Sequence, residues 1–393
     1  MAALVAIADY WWDWGNLLFR WLHVVAAIAW VGSSFYFIAL DNHLRPPADE
    51  DDARRGVGGE SWEIHGGGFY RIEKYRVAPE TLPEPLHWFK WEAYTTWLSG
   101  FALLVVVYYV HAGTFLVDPS VADLSDGEAV AISIAGLIVA WLVYDGLCRA
   151  LGDHQLLLAV AVFAFVCVSA WGATELFAPR AAYVQVGAMI GTMMVGNVFF
   201  VIIPAHWELV RAKQAGREPD PAANERGKLR SVHNNYLTLP VVFAMLSGHF
   251  PFTYGHDNAW LILVALMAIG AWIRHYFNLR HTGRDVWLIP ATAGLAIVVL
   301  AFAIRPDDTS SGAVTGKAPA FAVVQAIVQK RCVPCHAGAS APQGIKFTSR
   351  AEIESHASQI EQQAVTTHAM PLGNATHMTQ AERDTLAAWL ASR

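Results

Sequence analysis

Charge is scarce in this chain: 27 Lys and Arg and 33 Asp and Glu are spread over 393 residues, for a formal net charge of −6. With its basic residues dispersed and its balance acidic, the chain is not expected to bind nucleic acid. Cysteine is nearly absent. Cys148, Cys167, Cys332 and Cys335 are too few for a disulfide framework, and two of them have a more specific use, taken up below. A nucleotide-binding fingerprint is also lacking. The opening "MAALVAIADYWWDWGN" has no basic segment ahead of its apolar residues, so no cleavable signal is expected and the first span must direct itself.

Apolar residues are what the chain has instead: 55% of it is hydrophobic, with 16 Trp. That composition belongs to an integral membrane protein. Stretches long enough to span recur at 17–40, 94–112, 129–148, 155–177, 182–204, 235–253, 258–278 and 285–304. The expected fold is all-α, a polytopic bundle of about eight spans followed by a small α-helical domain that the Cys332-x-x-Cys335-His336 motif marks as cytochrome c-like. The boundaries are 1–305 for the membrane domain, 306–319 for a polar linker and 320–393 for the tail. With the N-terminus outside, Lys and Arg gather in the inner segments 41–93 and 205–234, while the outer loops hold little beyond Arg180. Eight spans then place the tail on the outer side.

The tail carries "RCVPCHAG". Two thiols three positions apart can form thioethers with the vinyl groups of a haem, and the following imidazole becomes an axial ligand. Cys332, Cys335 and His336 are therefore expected to hold covalent haem c. A zinc site would want a second ligand pair, and Cys148 and Cys167 lie far off in apolar runs. For the sixth ligand, Met370 in "HAMPLGNATHM" is favoured over Met378, with His368 and His377 weaker, because Pro371 and Gly373 suit an extended loop. His336 and Met370 would thus be the iron ligands. "FAVVQAIVQKR" and "TQAERDTLAAWLASR" read as the flanking helices, the second with Leu386, Trp389 and Leu390 on one face.

The segment 41–93 is too long for a plain connector. It contains "HGGGFYRIEKY" and "LHWFKWEAYTTWLSG", mixing aromatics, histidines, charges and a glycine triplet that permits either close backbone approach or positive φ. These phrases, with "HNNYLTLP" and the tail "CVPCHAG…MPLGNATHMT", resemble the membrane-bound, cytochrome c-containing urate oxidases of bacteria over nearly the whole chain. The resemblance implies oxidation of urate to 5-hydroxyisourate, with electrons passed to the c haem and onward to a periplasmic acceptor or terminal oxidase, and no hydrogen peroxide. It implies a multi-pass protein of the cytoplasmic membrane, in contact with membrane lipid, with its cytochrome in the periplasm. It carries over the haem ligands alone.

Urate is a flat monoanion, and a site for it wants stacking surfaces and a cation. The inner segment offers Phe69, Tyr70, Trp88, Phe89, Trp91 and Tyr94 beside Arg71, Lys74 and Lys90. His65, His87, Lys90 and Glu92 are the catalytic candidates, with Glu92 or His87 placed to take the proton that oxidation releases. Urate oxidised there would have to send electrons across a core about 30 Å thick. Histidines at two depths of the bundle could bridge it. His23 and His249, with His111, form an outer tier; His206, His233 and His275 form an inner one, and one or two b-type haems are expected on them. Arg20 or Arg274 could pair with a propionate, unless Arg274 snorkels to the surface. Two other readings stay open, a quinol or small-alcohol dehydrogenase and a non-enzymatic copper-handling protein. The latter would lean on the cluster Met189, Met193 and Met194.

Reporter fusions at Gly216 and at the C-terminus are expected on opposite sides of the membrane; same-side signals would refute an eight-span topology.

Overall fold

A computed structural model describes residues 2–305, 319–338 and 341–393. The linker expected at 306–319 lies almost wholly outside the described residues. The chain runs through α1 (Ala2–His43), α2 (Glu50–Arg54), β1 (Val57–His65), β2 (Gly68–Tyr75), α3 (Trp91–Leu103), α4 (Ala112–Phe115), α5 (Asp126–Leu151), α6 (Gln155–Leu176), α7 (Pro179–Gly196) and α8 (Ile203–Gln214). It continues through α9 (Pro221–Leu246), α10 (Pro251–Tyr254), α11 (Ala259–His281), α12 (Leu288–Ala303), α13 (Phe321–Arg331), α14 (Arg350–Ser355), α15 (Ala357–Ile360) and α16 (Gln380–Ala391).

Among the described residues five helical runs are long and apolar enough to cross a membrane: Trp11–His43, Asp126–Leu151, Gln155–Leu176, Pro179–Gln214 and Ala259–His281. Their outer faces are apolar. On α6, Leu156, Leu157, Phe163, Val168 and Trp171 stand exposed, a surface that is stable in lipid and would aggregate in water. The protein is membrane-embedded. The other three expected spans fall on less regular ground. Residues 94–112 fall largely on α3 and a π-helical continuation, Leu104–Tyr109. The span expected at 235–253 is the end of α9, with Pro240 inside it, followed by a 3-10 turn and α10. The span at 285–304 is the shorter apolar helix α12.

A second π segment, Asn197–Ile202, joins α7 to α8. Pro204 has no N–H to donate back to Phe200, and the widened turns before it absorb the change of register.

The expectation of an all-α fold is departed from at the inner segment, where β1 and β2 form an antiparallel hairpin pairing His65 with Gly68, Glu63 with Tyr70 and Trp62 with Arg71. The glycine triplet explains the turn: Gly66 and Gly67 both have positive φ, 57° and 82°, as a two-residue hairpin turn that follows the strand twist requires. The hairpin is held to α2 by ion pairs. Asp52, 4% exposed, pairs with Arg55 and Arg71, and Arg71 Nε also donates to Glu60 at 2.8 Å.

The chain forms two compact units. The first comprises Met1–Leu103, Ala188–Val241 and Ala268–Leu295; the second comprises Leu104–Gly187, Val242–Met267 and Ala296–Arg393. In the first, α1 packs along α3, and Ala93, Val198, Ile202 and Ile203 form a small core with Trp30, Trp88 and Tyr94. In the second, Ser133 of α5 donates to Gln185 of α7 at 2.8 Å and receives its amide through the Ser133 carbonyl at 3.1 Å. The same unit holds a core of Val324, Ile327, Val328, Phe347, Ile353, Met378, Leu386 and Trp389, so α13 and α16 meet through the faces their apolar spacing defines.

Arg55 and then Arg71 hold the Asp52 carboxyl below the usual carboxylate range. A depressed carboxylate stabilises the fold above its unfolded pKa and loses that contribution as pH falls through the folded value. Amide protection in 57–75, taken relative to the intrinsic exchange rate at each pH, is therefore expected to be unchanged between pH 7 and 5 and to fall below about pH 4, with Asp52→Asn showing the lower protection already at pH 7.

Candidate functional site

The haem-type motif is built on the end of α13. Cys332 caps that helix, and the chain adds one further turn in which His336 N–H donates to Cys332 O at 2.9 Å. Positions i, i+3 and i+4 of such a turn share one face, so Cys332, Cys335 and His336 lie along one side. The His336 Nδ1 is 3.0 Å from the Ile345 carbonyl. With Nδ1 as the donor, Nε2 is left as the metal-facing nitrogen, the usual outer-shell arrangement of a ligating histidine. The ring also packs against Phe347, centroids 5.0 Å apart.

The two methionines differ sharply. Met378 is 4% exposed and part of the core, whereas Met370 is 36% exposed. The backbone of Met370 is clamped, its N–H donating to Gln363 O at 2.8 Å and its carbonyl accepting from Arg383 at 2.9 Å. The loop carrying it has three non-glycine residues at positive φ, His368, Asn374 and His377, types that tolerate this region better than most. Two thiols and an imidazole on one face, with an oriented Nδ1 and an accessible thioether on a fixed loop, fit a covalent haem c. Burial pushes the Cys332 thiol up to about 11, and among the described residues no three His, Cys, Asp or Glu side chains converge as a metal site.

The Met370 loop rests on the membrane-side part of its own unit. Asn374 Nδ2 reaches Asp118 Oδ1 at 3.5 Å, and His368, Leu372, Asp118, Arg180 and Tyr254 line one small cavity. Gly255 is required here, since a Cβ would overlap the Thr367 carbonyl.

The inner-segment candidates are dispersed more than sequence reasoning supposed. His65 stands exposed at the hairpin turn. His87, also exposed, sets its ring edge-on to Phe89, which in turn meets Phe37 of α1. Lys90 lies over Trp88 and Trp91, 5.5 and 5.9 Å from the ring centroids. Trp88 stacks on Trp207 at 4.5 Å with His206 beside it at 6.4 Å. Glu92 opens α3 and is half-buried, with Oε2 buried and lacking a hydrogen-bond partner. Arg71 and Lys74, read from sequence as cations for a substrate, are engaged by Asp52 and Glu60 and by Asp41. Sequence reasoning missed a cleft of about 430 Å³ lined by His43, Arg45, Glu60, Ser61, Trp62 and Glu63. His43 there meets His281 edge-on, centroids 4.9 Å apart, a pairing between α1 and α11 that no local spacing announces.

The intramembrane histidines are individually anchored. His23 places Nδ1 2.8 Å from Thr96 O, and its ring occupies the space a side chain at Gly100 would fill. His275 Nδ1 is 2.6 Å from Tyr236 Oη, with the ring stacked on Trp272 at 5.6 Å. Both leave Nε2 for another partner, as a haem ligand must. His233 is half-buried on α9, and His206 lies by Trp88. His23 belongs to the first unit; His249, exposed at the end of a 3-10 turn, belongs to the second. Arg20 donates to Asn16. Met189, Met193 and Met194 are buried packing residues.

A protein-family model described as urate oxidase N-terminal matches residues 9–305. Comparison with curated proteins and with solved structures returned no match.

Replacing Met378 by Ala is expected to cost about 2–4 kcal/mol of stability in the tail, as for other buried methionines. In the haem-free chain, Met370→Ala removes no buried packing and should leave the melting temperature of the tail nearly unchanged. Calorimetry of the two variants checks the difference.

Proposed function

Since the chain belongs to the urate oxidase N-terminal family, we propose that it is a membrane-bound oxidoreductase converting urate to 5-hydroxyisourate with electrons leaving through a c-type haem. Urate and one water give 5-hydroxyisourate, two protons and two electrons, so the reaction balances without dioxygen and without hydrogen peroxide. The observation that carries the electron-acceptor part is the turn bearing Cys332, Cys335 and His336, with the accessible Met370 on a clamped loop. A haem held by these four residues would supply one-electron acceptance at raised potential, for relay to a periplasmic acceptor or terminal oxidase.

The chain's own residues have separate tasks. Arg383 fixes the Met370 carbonyl, and Ile345 fixes the His336 ring. Glu92 is the favoured proton acceptor of the four inner-segment candidates, because a buried carboxylate oxygen without a donor is free to take a proton. Lys90 between two indoles supplies local positive charge, and His65 and His87 are secondary candidates. Two released electrons and a one-electron acceptor favour an intermediate carrier. His206, His233 and His275, all within the first unit, are the residues proposed to hold b-type haem for that purpose.

Purified protein is expected to reduce its own haem when urate is added without oxygen, and not with quinol or ethanol. Met370→Ala should lower the haem potential and abolish the low-spin spectrum. Glu92→Gln should lower turnover about 100-fold with the haem spectrum intact. Acid-acetone extraction should release a b-type haem and leave haem c bound. An active preparation without extractable haem would remove the b-haem part and move the substrate site to the outer side.

A further inference from the structure

The first unit contains a buried cation with no counter-ion among the described residues. Arg274 sits on α11 two turns before its end at His281, roughly 10 Å along the axis, and is 4% exposed. It does not snorkel to the surface. Its Nε donates to Asn235 Oδ1 at 2.8 Å, its guanidinium carbon lies 3.9 Å from the Phe35 ring centroid, and its Nη2 is buried with no acceptor. Because arginine only donates, Asn235 must present oxygen to it. Asn278 must then offer Nδ2 to that same oxygen, at 2.9 Å, which leaves Asn278 Oδ1 as a buried acceptor without a donor. Helices α1, α9 and α11 thus leave one strong donor and one acceptor unmatched around a single amide.

A lone guanidinium inside a bundle is unfavourable unless an anion joins it. The two orphans also specify what kind of anion. One calls for a negatively charged acceptor, the other for an N–H, and a lactam edge of a heterocyclic anion carries both. We propose that Arg274 and Asn278 form a binding site for a planar lactam-type anion, with Asn235 and Phe35 positioning the guanidinium from its other edge and its face. Resting on the reading of the chain as a urate-oxidising protein, the occupant is the urate monoanion. A haem propionate, the partner suggested for Arg274 by sequence, has no N–H for Asn278 and fits less well. Beyond Phe35 and Arg274, α1 and α11 stay in contact through Asn42, whose Nδ2 donates to Asn278 O at 3.4 Å, and through the His43–His281 pair. His43 lines the cleft.

The test uses the full-length protein in detergent, with KM for urate-driven haem reduction, substrate-free melting temperature and haem content measured together. Arg274→Met is expected to raise KM about 10- to 100-fold, the range for a lost hydrogen bond to a charged group, and Asn278→Leu to raise it by less. The substrate-free melting temperature of Arg274→Met should be equal to or above that of the unaltered protein, since an unpaired buried charge has been removed. A KM within twofold of the unaltered protein in both variants overturns the site. So does Arg274→Met melting lower or failing to accumulate while Arg274→Lys keeps the original KM, which would make the residue structural. Loss of extractable haem in Arg274→Met would assign the cation to a propionate and also overturn it. If the unaltered protein neither binds nor oxidises urate, the functional reading itself fails, and this assignment with it.

Discussion

Hydrocarbon offers no hydrogen bonds, and the polar groups within the bundle must therefore find their partners inside the protein. This constraint accounts for the helical architecture and for the style of its interior, where amides and hydroxyls rather than ion pairs join the helices. Ser133 and Gln185 exchange two hydrogen bonds. Asn197 donates to Asn234 at 2.8 Å and accepts from Arg230 at 2.9 Å, while Asn234 donates to the Met194 carbonyl at 3.0 Å. Such contacts are worth on the order of 1 kcal/mol each within a membrane, enough to select one helix register without demanding a buried charge pair.

Much of this was legible in the sequence wherever the information is local. The apolar runs locate the five strongest spans, and CxxCH falls on a helical turn that sets its three residues at i, i+3 and i+4. The tail helices follow from apolar spacing, and Leu386 and Trp389 are indeed core residues. The hairpin was not legible. The strands "VGGESWEIH" and "GFYRIEKY" carry too many charges to show a clear apolar alternation, and the glycine triplet is compatible with a ligand loop as readily as with a tight turn. The π segments were equally hidden, since nothing in "NVFFVI" distinguishes a π turn from an α turn except the proline that follows.

The asparagine pair in "HNNYLTLP" shows where the limit lies. Sequence marks the two residues as polar and adjacent, so they cannot share a helix face. Only the fold reveals what each does: Asn234 ties α9 to the α7–α8 run, and Asn235 serves the guanidinium of α11. Likewise Met370 and Met378 are both credible thioether ligands by spacing. The fold shows how they differ: Met378 fills the core between α13 and α16, whereas Met370 stands exposed on its loop.

The partners of the arginines in the first unit sort them by role. Arg55 and Arg71 are matched by carboxylates in and around the hairpin, and Arg217 by Glu208. These pairs close on themselves, and their purpose is spent in holding segments together. Lys90 and Arg274 are arranged otherwise, one over indole faces and the other on a phenyl ring and an amide. Aromatic and amide partners stabilise a cation without neutralising it. The positive charge is therefore retained in full, and it is retained on the unit that also carries Glu92 with its unpartnered carboxylate oxygen. Sequence already singled out Lys90 and Glu92 by residue type and place; what only the fold adds is that Glu92 Oε2 is buried without a donor and that Arg274 is held by a ring and an amide.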